Sequence, residues 1–511
     1  MLTRTGRIAT GIALLALAVS ACSAGSSTNP GPTAGGTGGS GGGSAGTVTI
    51  GLVAEPASLD FTKTDGAAIP QVLLTNVYET LVKQDQDGKI VPSLATSWKV
   101  SDDKKTYTFD LTPNAKFSNG DPFTAEDAVF SINQVKTAWT ISLKAAMNVV
   151  ADAKAVSPTQ LQVTLANPSN DWLFRMTTRI GAMMDPKGVA DLATKPVGTG
   201  PYLFDTWNRG DSITLKANPT YWGKQPAYST VVLKYFKDPT ALNNALLTNT
   251  INVIGTVQAP ESLAQFTGNS KYQVIEGTTN GEVVLSFNNA KAPLNNLKLR
   301  QAIRTAIDHK ALVDTCWAGK GTLIGSMVPP TDPWYEDRTG DFPYDQAKAK
   351  QLLAESGTAT PTLRLRVPNL PYAVACGQVV KSQLQQVGIT VNLDQLEFPA
   401  AWLQTVFKDH DYDMSIVAHV EPRDLPAVFG NPQYYTQYNN PQLQADIKAA
   451  DAGTTDEQVT YMKKAAQELS QDAAADFLFL LPNLIVADQG ITGLPKNAIT
   501  ESFDLSALSK G

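Results

Sequence analysis

The densest group of reactive side chains is Ala418-His419-Val420-Glu421-Pro422-Arg423-Asp424-Leu425, which places an imidazole, two carboxylates and a guanidinium within six residues. It follows Asp413–Val417, an apolar run that reads as a strand. At a strand end such groups can hold an ammonium, a carboxylate or a metal complex through charge-assisted hydrogen bonds. The plainer use is a solvated ion pair of Arg423 with Glu421 or Asp424, worth under ~1 kcal/mol. Four aromatics, Trp334, Trp402, Tyr434 and Tyr435, could line a pocket, because flat rings pack well against sugars and peptides. Asn288-Asn289 closes a strand and is expected to offer amides to the same space.

Support for catalysis is thin. No Gly-x-Ser-x-Gly, His-Glu-x-x-His, Cys-x-x-Cys or phosphate-loop pattern occurs, and the three His (His309, His410, His419) are scattered. Gly198-Thr199-Gly200 is followed by Pro201-Tyr202 and no third glycine, so it reads as a turn and not a dinucleotide cradle. No cofactor is called for. The net charge of −6, from 41 basic and 47 acidic residues, argues against a nucleic-acid partner, which would need a basic surface.

The chain begins with an address. Arg4 and Arg7 precede an apolar run, Ile8 to Ala21, of fourteen residues. That is short of the ~20 needed to span a bilayer, so it reads as an export signal. It ends at Val19-Ser20-Ala21-Cys22, which looks like the lipobox of bacterial lipoproteins, in which Cys22 would be acylated after cleavage. Each buried CH₂ contributes about 0.8 kcal/mol, so two or more chains hold a domain on a membrane. Residues 23–46 contain ten Gly, five Ser and no charge, and read as a tether of about 25–30 Å root-mean-square length. The two remaining cysteines, Cys316 and Cys376, are expected to form a disulfide in an oxidising compartment; the other reading is two buried thiols.

The elements that would position these groups are mixed. Strands are expected at Thr47–Val53, Trp98–Val100, Thr106–Leu111 and Ile389–Leu393, and helices at Gln71–Val82, Leu299–Val313, Asp345–Ser356 and Tyr372–Val387. Thr124 opens another helix with Asp127 in a capping box. With 38 Gly and 31 Pro and no internal repeat, the class is α/β.

Several phrases in order resemble one family: Glu55-Pro56 with Leu59-Asp60, Tyr78-Glu79, Pro92 with Leu94-Ala95 and Trp98, Phe117 with Gly120 and Ala125-Glu126-Asp127, Gly198-Thr199-Gly200-Pro201-Tyr202, Asn218-Pro219 with Tyr221-Trp222-Gly223, Phe287-Asn288-Asn289, Arg300 with Ile303, and Tyr344-Asp345. The set is similar to the extracellular solute-binding proteins of family 5, the peptide- and nickel-type receptors of ABC importers.

That resemblance implies a type II periplasmic-binding-protein-like fold with two lobes and a hinge. Lobe I would comprise residues 47–83, 191–287 and 482–511, with an inserted domain at 84–190 and lobe II at 288–481. It further implies a non-enzymatic monomer, lipid-anchored and outward-facing, serving a permease and an ATPase. In peptide-binding relatives the strand end before the acid-Pro pair carries an Asp for the peptide ammonium; here Ala418 takes that place. An Arg that dipeptide receptors use for the ligand carboxylate has Leu370 at about its position. The solute is therefore expected to be a peptide or peptide-like molecule held differently. The open alternatives are an oligosaccharide, a nickel complex on His419, or a secreted lipoprotein hydrolase.

Overall fold

Two strands of unusual length organise the molecule: Tyr272–Phe287 and Ala475–Asp488 pair antiparallel along most of their length. The computed structural model describes residues 45–511 except Asp65, so the signal, Cys22 and the expected tether up to residue 44 lie outside the described residues. Ala45 and Gly46, expected as the tether's end, already begin the strand Ala45–Leu52. The two long strands sit at the middle of a ten-stranded sheet. To one side follow Met414–His419, Thr362–Pro368 and Thr390–Leu396. To the other follow Val253–Ile254, Ala45–Leu52, Tyr228–Tyr235, Ser212–Ala217 and Tyr202–Asn208.

The long strands serve different cores at their two ends. Val283, Leu285, Phe287, Leu478 and Phe479 pack with Leu363, Leu365, Val380 and Ile416. Ile485 and Ala487 instead pack with Val48, Ile50, Val231 and Leu233. The change falls where the pairing register shifts, between Thr278 and Glu282. Such an irregularity bends a strand pair, and here it joins two lobes, each with its own apolar interior.

A separate four-stranded sheet, in the order Ala95–Val100, Thr106–Leu111, Gln160–Leu165, Val150–Ser157, lies within residues 84–190. Its buried Tyr107, Phe109 and Leu161 share the core of the first lobe. The helix Ala125–Thr137 covers it and opens as expected: the Thr124 N–H donates to the Asp127 carboxylate at 2.8 Å.

Other helices follow their caps. Gln346–Glu355 starts at Asp345, whose side chain accepts from the Lys348 N–H, and stops at Gly357, at φ +69°. Pro371–Gln386 stops before Gly388, at φ +93°. Two helical expectations need correction. Gln71–Val82 is not one helix: it ends as Ala68–Leu73, Thr75 turns to φ +61°, and Val82–Gln84 is already a strand. Leu299–Val313 breaks into Leu297–Ala306 and His309–Cys316, because Asp308 caps a new helix by accepting from the Ala311 N–H at 2.9 Å. Cys316 and Cys376 are joined in a disulfide within the second lobe. Among the described residues no helix is long and apolar enough to cross a membrane.

Candidate functional site

The last eight residues of Tyr272–Phe287 are buried on both faces, as expected of a central strand, yet they include Glu282. Its neighbour across the antiparallel pairing is His419, the last residue of Met414–His419. After His419 the chain leaves the sheet, and the loop 420–424 carries the polar groups singled out in the sequence. Arg423 takes φ +54°, a left-handed conformation that costs a residue with a Cβ roughly 1–2 kcal/mol. That turn lays its guanidinium between two rings, 3.8 Å from the Phe174 centroid and 4.9 Å from that of Trp334. Its Nε lies 3.7 Å from Asp332.

Phe174 belongs to the helix Asn170–Arg175, which packs with the small sheet through Trp172. Trp334, Leu425 and Val428 belong to an interior of the other lobe. The Arg423 loop therefore lies at the meeting of the lobes. Arg175 crosses the same gap, donating from Nη1 to the Pro422 carbonyl at 3.2 Å and from Nη2 to the Arg423 carbonyl at 3.1 Å. A second crossing lies near Asp451, whose Oδ1 accepts from Ser169 Oγ at 2.8 Å and from the Asp171 N–H at 2.9 Å. The Asn170 amide adds bonds to the carbonyls of Ala450 and Gly453, both at 2.9 Å.

The electrostatics of the junction are unbalanced. Asp424 is 5% exposed and Glu282 2% exposed. Neither oxygen of Asp424, nor Oε2 of Glu282, has a hydrogen-bond partner among the described residues. Burial, reinforced by Glu421, pushes the Asp424 carboxyl well above the usual range. Burial, reinforced by Asp424, does the same to Glu282. Asp332 is raised by burial to about 6, with Arg423 and Arg175 opposing. His419, 7% exposed, is pushed down to about 4 by burial and so is neutral near pH 7. Its Nε2 shares a 2.9 Å hydrogen bond with the Tyr435 hydroxyl, which bonds Ser286 Oγ at 2.7 Å, while its Nδ1 lies 3.8 Å from Asp424.

The structure thus brings together His419, Glu421, Arg423, Asp424, Trp334, Tyr434 and Tyr435. Tyr434 is half-buried against Phe407, with centroids 5.1 Å apart. Trp402 stands behind, donating from Nε1 to Ser415 Oγ at 3.1 Å and packing on Tyr435. Asn288 and Asn289 commit their Nδ2 groups within the second lobe, while their Oδ1 atoms have no hydrogen-bond partner among the described residues. Asn289 Nδ2 donates to the carbonyls of Phe287, Thr436 and Ala474, and Asn288 Nδ2 to those of His410 and Tyr412, so both stitch the second lobe together.

Ala418 donates its N–H to the Tyr372 hydroxyl at 2.9 Å, and Leu370 is the N-cap of Pro371–Gln386. Neither supplies a charge. Glu282, Asp332, Phe174 and Arg175 were not singled out from the sequence. Glu282 carried a signal, a charge directly before the apolar residues Val283–Leu285, and Arg175 carried none.

Comparison with known proteins agrees with this architecture. The sequence profile described as "Bacterial extracellular solute-binding proteins, family 5 Middle" matches residues 89–441. The "Nickel-binding periplasmic protein" of Escherichia coli (strain K12) is 30% identical over 346 residues, covering 62% of this chain and 65% of that protein, a little under two thirds of its length. The "Probable D,D-dipeptide-binding periplasmic protein DdpA" of the same organism is 26% identical over 501 residues, covering 91% and 94%. Among solved structures, the periplasmic binding protein DppA from Helicobacter pylori, in complex with the peptide STSA, superposes with a TM-score of 0.82 at 21% identity, covering 91% of this chain and 98% of that one. At that identity the likeness shows the fold.

Proposed function

Because the chain belongs to the bacterial extracellular solute-binding proteins of family 5, we propose that it is the solute-binding component of an ABC importer. It captures a small solute, peptide or peptide-like, between its two lobes and delivers it to a permease driven by a separate ATPase. Its relatives are binding proteins of transport and not enzymes.

The observation that carries this reading is the junction itself: two lobes with separate interiors meet around buried polar side chains that their own fold leaves unpaired. A buried polar atom without a partner costs about 1–3 kcal/mol, more when charged. A solute that supplies the missing partners recovers that energy only in the closed arrangement. Occupancy and closure are thereby linked, by as much as the solute prefers the closed state. Cys22, acylated, would hold the domain at the outward face of the cell membrane, with the residues between it and the strand that starts at Ala45 as the tether.

The test is uptake and binding together. Fractions of growth medium are screened for a rise in melting temperature, and the active solute is then followed into cells with and without the gene. The expected result is a stabilising fraction whose uptake is lost with the gene. Absence of any stabilising fraction, or unchanged uptake, contradicts the proposal.

A further inference from the structure

We infer that Tyr372 is a positioning residue for the loop after His419, and that the Cys316–Cys376 disulfide holds it there, so that solute affinity depends on the oxidation state of that bond. This rests on the receptor reading above and adds what controls the geometry of the site.

The strand that leads into the site is paired unequally on its two sides. On one side Met414–His419 pairs residue by residue with Glu282 to Phe287 of the long strand. On the other, among the described residues, it meets the parallel strand Thr362–Pro368 only at Leu365 and Met414. The sheet therefore opens toward the carboxyl ends of these two strands, the kind of crevice in which α/β proteins bind ligands. A backbone N–H facing such an opening has no ladder partner and must find another. That of Ala418 donates to the Tyr372 hydroxyl at 2.9 Å. Tyr372 thus fixes the residue directly before His419 and the polar loop 420–424.

Tyr372 is itself held mainly from outside its helix. It stands in the first turn of Pro371–Gln386, where Leu370 supplies no side-chain cap. Cys376 lies four residues on, on the same helix face, and is bonded to Cys316 with the two Cα atoms 4.9 Å apart. Trp317, next to Cys316, packs edge-on against the Tyr372 ring with centroids 6.3 Å apart. All four side chains are at least nine-tenths buried. The helices His309–Cys316 and Pro371–Gln386 are tied a second time at their other end. There the Asp308 N–H donates to Gln383 Oε1 at 3.0 Å, and Gln383 Nε2 donates to the Asp308 carbonyl at 3.3 Å. Opening the disulfide leaves that far end attached and releases the end that carries Tyr372. A dithiol supplies the two electrons and two protons that turn the bond into two thiols, and itself closes to a cyclic disulfide.

The test compares full-length wild type, oxidised and reduced with dithiothreitol, with the double variant Cys316→Ala/Cys376→Ala and with Tyr372→Phe, all well below their melting temperatures. Tyr372→Phe keeps the ring and the disulfide and removes only the acceptor. Amide hydrogen exchange at Ala418 is read without solute, and the growth-medium fraction that stabilises the wild type is titrated into each protein. The double variant and Tyr372→Phe should each speed exchange at Ala418 and weaken binding of that fraction by about three- to tenfold, the effect of one lost hydrogen bond. Adding Tyr372→Phe to the double variant should cost little more, because both changes act through one contact. Unchanged exchange or affinity in either protein, or losses that simply multiply, overturns the inference and leaves the receptor reading standing. If no medium fraction binds the oxidised wild type, the receptor reading falls and this inference with it.

Discussion

Arg175 in one lobe holds the backbone of Arg423 in the other: its guanidinium bonds the Pro422 and Arg423 carbonyls at 3.2 and 3.1 Å, across 247 and 248 positions of sequence. The strained conformation of Arg423 is thus fixed from across the junction. Arg175→Ala removes two charge-assisted bonds, each worth roughly 1.5–3 kcal/mol, and they exist only when the lobes meet. The expected outcome is a shift toward an open form, seen as a larger radius of gyration in small-angle scattering, with little change in melting. An unchanged radius contradicts it.

The disulfide gives a second prediction. Cys316 and Cys376 are 60 residues apart and both belong to the interior of the second lobe. In the chain-entropy treatment, closing such a loop is worth about 4 kcal/mol. Cys316→Ser with Cys376→Ser should lower the melting temperature in calorimetry by several degrees. Equal melting of the oxidised and reduced wild type would count against this.

His419 should impose a pH dependence. Its ordinary value of 6.5 is lowered by burial to about 4. Between those values the unfolded chain takes up a proton that the fold refuses, so stability is lost as pH falls from about 6.5 toward 4, by up to about 3 kcal/mol. Glu282 and Asp424 act in the opposite sense, since a raised carboxyl pKa favours the fold as pH falls. The comparison is therefore between wild type and His419→Gln. The variant should lose less melting temperature over that range, and parallel profiles would sink the assignment.

Cys22→Ser tests the proposed anchor. The variant should appear in the soluble fraction of cells in which the parent sediments with membranes. Retention on membranes after a salt wash would contradict lipidation as the anchor.

Legibility in the sequence followed the range of the forces involved. Helix ends were readable where a local cap decided them, as at Thr124, Asp345 and Gly388. The period of Gln71–Val82 misled, because Thr75 turns left-handed, Thr80 then bridges to Ala182, and Val82–Gln84 pairs as a strand with Ile90–Pro92. In the site, His419 to Asp424 stood out as a polar run after an apolar strand. Glu282 could have been read as a charge inside a buried strand. A sequence does not show which carbonyls face Asn288 and Asn289, and here the Asn289 amide N–H groups reach carbonyls of residues as distant as Ala474. Arg175 and Phe174 reach the site only through docking of one lobe on the other, which no local pattern records.

The central claim, a receptor whose lobes close on a solute, is tested most directly by native mass spectrometry of freshly purified protein before and after unfolding and refolding. The account predicts a non-covalent mass on the fresh protein that is lost on refolding. The melting temperature should fall with that loss and recover when the low-mass extract is returned. Fresh and refolded protein of identical mass and melting temperature, both indifferent to the extract, would contradict it.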